Sequence, residues 1–155
     1  VSNSDSKYIS VAINEARHSE LSYRLGCAAV VSGKIVAKGC NNYRTYSKDG
    51  LIGGVCSCHA EIDVLRKCLK QNITKKITLY IMRLSSTDEL LCSAPCIDCF
   101  LKMQEFNIKS IVYVNHEGEI TKKNFSDFNT SHRTSGYRAI KNKRVKCFWK
   151  LVKNL

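Results

Sequence analysis

Pro95 is the only proline in the chain, and Cys96 and Cys99 follow close behind it in the stretch SAPCIDC (93–99). Proline is well tolerated at the first position of a helix, where its missing N–H would have had no partner. The stretch therefore reads as a helix start, and residues three apart share a helix face, so both thiols fall on the first turn. Earlier in the chain, His59-Ala60-Glu61 opens a second helical pattern whose Ile62, Leu65 and Leu69 lie on one side. Each pattern follows a loop at the end of a strand-like run, which lets both helix N-termini converge on one edge of a sheet. One imidazole and two thiolates make the three-ligand set of a catalytic zinc site, with the fourth position left open. The partial positive charge of helix N-termini favours thiolates there. Glu61, two residues from the histidine, is within reach of whatever fills the open position. C-x-x-C alone is shared with redox and rubredoxin-like sites, and H-x-E alone is commonplace. Only the combination singles out a site.

Around these motifs the pattern describes one α/β unit. From Lys7, residues Ile9, Ala12, Ile13 and Ala16 recur at helical spacing, with Ser4 or Asp5 as cap. CAAVVSGKIVAKGC (27–40) gives two short strands around a turn at Ser32-Gly33-Lys34. Residues 41–57 are polar and glycine-containing, a loop of functional length, and 58–70 form the helix of His59. KITLYIMRL (76–84) is a buried strand, and 85–93 a loop. PCIDCFLKMQEFN (95–107) is a helix packing through Phe100, Met103 and Phe106. KSIVYVN (109–115) is another buried strand, turned at His116-Glu117-Gly118 into a short one. Val145, Phe148, Trp149 and Val152 fall at helical offsets and predict a terminal helix docked by one face. This order predicts a single three-layer α/β/α domain over residues 1–155, with a mixed central sheet of about five strands.

In HAE at 59–61 and PCIDC at 95–99 the chain resembles the zinc-dependent cytidine and deoxycytidylate deaminase superfamily, whose signature is H-A-E followed by P-C-x-x-C. The resemblance runs from the first helix to the strand at 109–114 and implies a cytidine-deaminase-like fold. It implies that His59, Cys96 and Cys99 hold Zn2+ and that Glu61 is the catalytic proton carrier in a hydrolytic deamination. It also implies that Asn41, in GCNNYR, holds the sugar, with Asn42 as second choice, and that the Ala60 backbone faces the base. Relatives commonly form dimers or larger rings, so a homo-oligomer is expected. Many of them carry Glu before the Pro-Cys pair. Ala94 stands there in this chain, which blurs the subfamily without touching the ligand set.

Two substrate readings follow. In the first the substrate is a free nucleotide, dCMP going to dUMP, with Arg44 of the loop NNYRTYSKDG clamping the 5′-phosphate and Tyr43 or Tyr46 closing over it. In the second the chain edits a base in tRNA or single-stranded DNA or RNA. Residues 132–155 carry eight of the 25 Lys and Arg and no acid, a segment of unassigned role able to follow phosphates, with Tyr137, Phe148 and Trp149 among them. The free nucleotide is the favoured reading. A non-catalytic zinc module is an outside alternative, opposed by the intact Glu61 and by the three-ligand count. Cys56 and Cys58 flank the site and offer a fourth ligand or a second zinc site; otherwise they are loop thiols. Nine cysteines are an odd number at irregular spacing, so a disulfide framework is not expected. No apolar run is long enough to span a bilayer, and the N-terminus lacks the layout of a secretory signal. The expectation is a reduced, cytoplasmic protein with no membrane partner.

Overall fold

A computed structural model describes residues 1–53 and 57–130. Helix α1 (Asn3–Arg17) begins earlier than its apolar stripe suggests, because Ser2 and Asp5 form a capping box. The Asp5 N–H donates to Ser2 Oγ at 3.1 Å, and the Ser2 N–H donates to Asp5 Oδ2 at 3.0 Å. Asp5 is thus the partner of the cap, not the cap. Its carboxylate also accepts from Tyr80 at 2.5 Å and from Lys122 at 3.2 Å, which ties the start of α1 across the sheet.

Strands β1 (Arg24–Val31) and β2 (Lys34–Cys40) form the expected hairpin. The turn residues Ser32 and Gly33 both have positive φ, 50° and 77°, the hand that matches the twist of the flanking strands. β3 (Ile77–Leu84) pairs antiparallel with β1, and β5 (Ile108–Val114) pairs parallel with β3. β6 (Ile120–Asn124) pairs antiparallel with β5 after a turn at Gly118. The order is β2-β1-β3-β5-β6, and a sixth strand, β4 (Leu90–Leu91), pairs with the end of β3. β4 lies in a stretch whose pattern predicts a loop. Two residues are too few for a period-2 pattern, and their pairing with Arg83 and Leu84 is set by tertiary contact.

Helices α2 (Ala60–Lys70) and α3 (Ile97–Met103) share one face of the sheet, and α1 covers the other. Along β3 the residues alternate: Ile77, Leu79 and Ile81 join Val64, Leu65 and Met103 in one core, while Tyr80 and Met82 join Tyr8, Ile9 and Ala12 in the second. Three layers with two cores are what the element order predicts. The layers are close. A Cβ on Gly26 would lie 1.9 Å from the carbonyl oxygen of Ala12, so only glycine lets α1 rest on β1 there.

Helix α3 is shorter than expected at both ends. Cys96 is its N-cap, so Pro95 stands one residue ahead of the cap and not at the first helical position. At the far end, the Phe106 N–H turns back to Met103 O, releasing the chain toward β5 and leaving Phe106 packed on the core from outside the helix. The predicted terminal helix over 145–155, the basic segment 132–155 with Tyr137, and Cys56 lie outside the described residues. Among the described residues no helix is long and apolar enough to cross a membrane.

Candidate metal centre and active site

His59 and Cys96 each stand at the N-cap of a helix, yet neither side chain makes a capping hydrogen bond. Neither is a residue type favoured for capping, so both side chains are left for other contacts. They are engaged with each other. His59 Nδ1 lies 3.3 Å from Cys99 Sγ and 3.7 Å from Cys96 Sγ, and the three ligand atoms all lie within 4.8 Å of one another.

This convergence is built by the ends of the strands. The Asn42 N–H donates to Cys58 O at 3.0 Å and the Cys58 N–H to Asn42 O at 2.9 Å, pinning the start of α2 to the end of β2. On the other side Ser93, 2% exposed, donates its hydroxyl to Ile81 O at 2.7 Å and accepts from the Val114 N–H at 2.9 Å. It thus bridges β3 and β5 just ahead of Cys96. Ser93 is absent from the sequence expectations, because a small hydroxyl between apolar strands carries no periodic signal.

The donor set fits zinc. Bonds of about 2.0 Å to nitrogen and about 2.3 Å to sulfur in a tetrahedron would set N···S separations of about 3.5 Å, and the observed 3.3 and 3.7 Å bracket that figure. Among the described residues no fourth side chain joins the three soft or borderline ligands, an open arrangement of the kind that catalytic zinc sites share. Cys58, 2% exposed, is not in the group: its thiol donates to His59 O at 3.4 Å, and burial pushes it up to about 12.

The members of the cluster shift one another's proton affinities. A hydrogen bond from Cys99 holds Cys96 at about 4 against the opposing effect of burial, with His59 adding to the pull. The same hydrogen bond, together with burial, pushes Cys99 up. Burial alone would lower His59, but the hydrogen bond with Cys96 and the nearby Glu61 outweigh it and raise it. Glu61 is 2% exposed and burial pushes its carboxyl up, with His59 drawing part of that back. Its Oε1 is buried with no hydrogen-bond partner among the described residues. An orphaned buried carboxyl oxygen beside a three-ligand cluster is rare and marks the place as a candidate site.

The remaining expected residues are spread around this end of the sheet. Asn41 is 1% exposed and its amide is committed to the backbone: Oδ1 accepts from the Leu25 N–H at 2.9 Å and Nδ2 donates to Tyr23 O at 2.9 Å. Asn42 is half-buried and accepts from the Arg44 N–H at 3.0 Å. Arg44 is exposed, and its Nε donates to Tyr46 O at 2.8 Å. Ala60 is fully buried. Ala94 borders a cavity of about 280 Å³ lined also by Tyr113, His116, Lys123 and Phe128. The loop between Asn41 and α2 is braced to both ligand-bearing helices. Arg66 Nε on α2 donates to Asp49 Oδ2 at 2.8 Å, and Lys102 Nζ on α3 donates to Leu51 O at 2.6 Å.

Comparison with known proteins places this geometry. Residues 2–115 match the profile of the family described as "Cytidine and deoxycytidylate deaminase zinc-binding region". No curated protein matches the chain. Among solved structures, a cytidine deaminase from Burkholderia pseudomallei aligns over 85% of this chain and all of its own, with a TM-score of 0.58 at 19% identity. A dCMP deaminase from the cyanophage S-TIM5, solved with dCMP and dUMP, aligns over 68% of this chain and 76% of its own, with a TM-score of 0.51 at 20% identity. A mutant form of the cytidine deaminase from Mycobacterium tuberculosis aligns over 83% of this chain and 97% of its own, with a TM-score of 0.52 at 17% identity. These likenesses are of fold.

Proposed function

We propose that this chain, which belongs to the family of the cytidine and deoxycytidylate deaminase zinc-binding region, hydrolyses the exocyclic amine from the base of a free nucleotide, dCMP going to dUMP. One observation carries the reading: His59, Cys96 and Cys99 converge at two helix starts beside a buried carboxyl with an unpartnered oxygen. In it, His59, Cys96 and Cys99 are the metal ligands and Glu61 is the catalytic acid–base. When bound, zinc supplies a Lewis acid that makes a water nucleophilic near neutral pH.

Glu61 takes the proton of the attacking water on Oε1, delivers it to the ring nitrogen, and then serves the departing ammonia. Its burial raises its proton affinity, which favours uptake of the proton. The Ala60 backbone, on the first turn of α2, faces the base. Asn41 holds the sugar, through lone pairs left beside its bond to Leu25. Arg44 meets the 5′-phosphate from the exposed loop, with Tyr43 and Tyr46 as closing residues. A homo-oligomer belongs to the same reading, and light scattering on the purified chain tests it.

Ammonia release measured on dCMP, CMP, cytidine, cytosine, guanine and single-stranded oligonucleotides tests the substrate. Release from dCMP above the others is the expected result. Activity confined to oligonucleotides and falling steeply with salt would replace the nucleotide by a nucleic acid.

A further inference from the structure

Arg83 stands next to last in β3, at the strand end toward which the two ligand-bearing segments converge. Ile77, Leu79 and Ile81 face α2 and α3, and Arg83 continues that alternation. It pairs with Leu25 of β1 on one side and Leu91 of β4 on the other. Leu25 is the residue clamped by Asn41, whose neighbour Asn42 pins Cys58 just before His59. On the same strand, Ile81 is held by Ser93, just ahead of Cys96. Arg83 therefore sits between the segments that deliver His59 and Cys96.

Its environment is unusual for an arginine. The Nε is buried and has no hydrogen-bond partner among the described residues, and no described carboxylate pairs with the guanidinium. Asp88, in the loop that follows β3, is taken by Arg24 at 2.5 Å. The Arg83 guanidinium instead lies over the ring of Tyr23, 5.5 Å from its centroid. An aromatic face fixes the plane of a guanidinium without satisfying its N–H donors. A buried N–H left unpaired is costly, and such a group persists where a ligand supplies the acceptor. The side chain as a whole is only half-buried, so a ligand can reach it.

We infer that Arg83, oriented by Tyr23, receives the phosphate attached to the substrate sugar and so sets the preference for a nucleotide over a nucleoside. This rests on the nucleotide reading above and adds to it a residue of the central sheet, at the strand end beside the segments that carry His59 and Cys96, where Arg44 is on the exposed loop. The phosphate could equally be a free 5′-monoester or a phosphodiester of a single strand, since a planar fork of donors fits both.

The test compares wild type, Arg83→Gln and Arg83→Lys, each checked for zinc content and melting temperature. Calorimetric binding of dUMP and of deoxyuridine gives a readout that needs no turnover, and kcat/KM on dCMP, deoxycytidine and a cytosine-containing single strand gives the catalytic one. The nucleotide-over-nucleoside ratio should fall about 10- to 100-fold in Arg83→Gln, with Arg83→Lys between. A loss seen on the single strand and not on dCMP assigns the phosphodiester. Equal losses on dCMP and deoxycytidine, or an unchanged ratio, would overturn the assignment. If wild type itself shows no preference for phosphorylated ligands, the nucleotide reading fails along with it. A wild-type preference that Arg83→Gln retains refutes Arg83 alone.

Discussion

Asp49→Asn isolates the brace between the 41–57 loop and α2. Asp49 accepts from Arg66 Nε at 2.8 Å, from the Leu51 N–H at 3.0 Å and from the Ser47 hydroxyl. Burial pushes its carboxyl up, but these donors outweigh that and hold it at about 2, against an ordinary 3.8. A carboxylate whose folded value is depressed adds stability above its unfolded value, and that stability is lost as pH falls through the folded value. The difference corresponds to roughly 2 kcal/mol at neutral pH. The Asp49 and Arg66 side chains are 22% and 10% exposed, so solvent screening trims this to about 1–2 kcal/mol. Urea denaturation at pH 7 should show Asp49→Asn less stable by that amount. The gap should shrink to about half near pH 3 and largely close at pH 2. A gap of the same size at pH 7 and pH 2.5 would refute the reasoning, because a loss insensitive to protonation would come from packing and not from the charge.

Three further outcomes follow from particular contacts. Glu61→Gln removes the proposed proton carrier while leaving the ligand cluster intact, so deamination should fall about 100- to 10,000-fold in an ammonia-release assay with zinc content unchanged. Gly26→Ala places a Cβ 1.9 Å from Ala12 O and 2.4 Å from Ala16 N, so it should cost at least about 2 kcal/mol in urea denaturation as α1 is forced off β1. Met103→Ala empties a fully buried position at the end of α3 and should cost about 2–5 kcal/mol by the same measurement.

The ligand set is legible in the sequence because its chemistry demands rare residues at helix starts. His59, Cys96 and Cys99 can be placed from spacing alone, and the convergence of their helices follows from the strand-loop-helix order. The strand cores are legible for a similar reason, since KITLYIMRL and KSIVYVN are apolar on both faces and can only be central strands. What escapes is set by single tertiary contacts. The start of α1 depends on the reciprocal Ser2–Asp5 bonds, β4 on pairing with the end of β3, and the true cap of α3 on where the chain leaves Ser93. The family resemblance assigns Asn41 to a sugar, yet its amide also locks the entrance to β1. Arg83 gives no signal in sequence, because a lone cation near the end of a strand looks like a solvated residue until its buried Nε is seen to lack a partner among the described residues.

Metal content tests the central claim most directly. Elemental analysis of the purified wild type should give about one zinc per chain, and the Cys96→Ala variant, folded by circular dichroism, should have lost it. Zinc retained at full stoichiometry in Cys96→Ala would contradict the assignment of His59, Cys96 and Cys99 as the site on which the deamination depends.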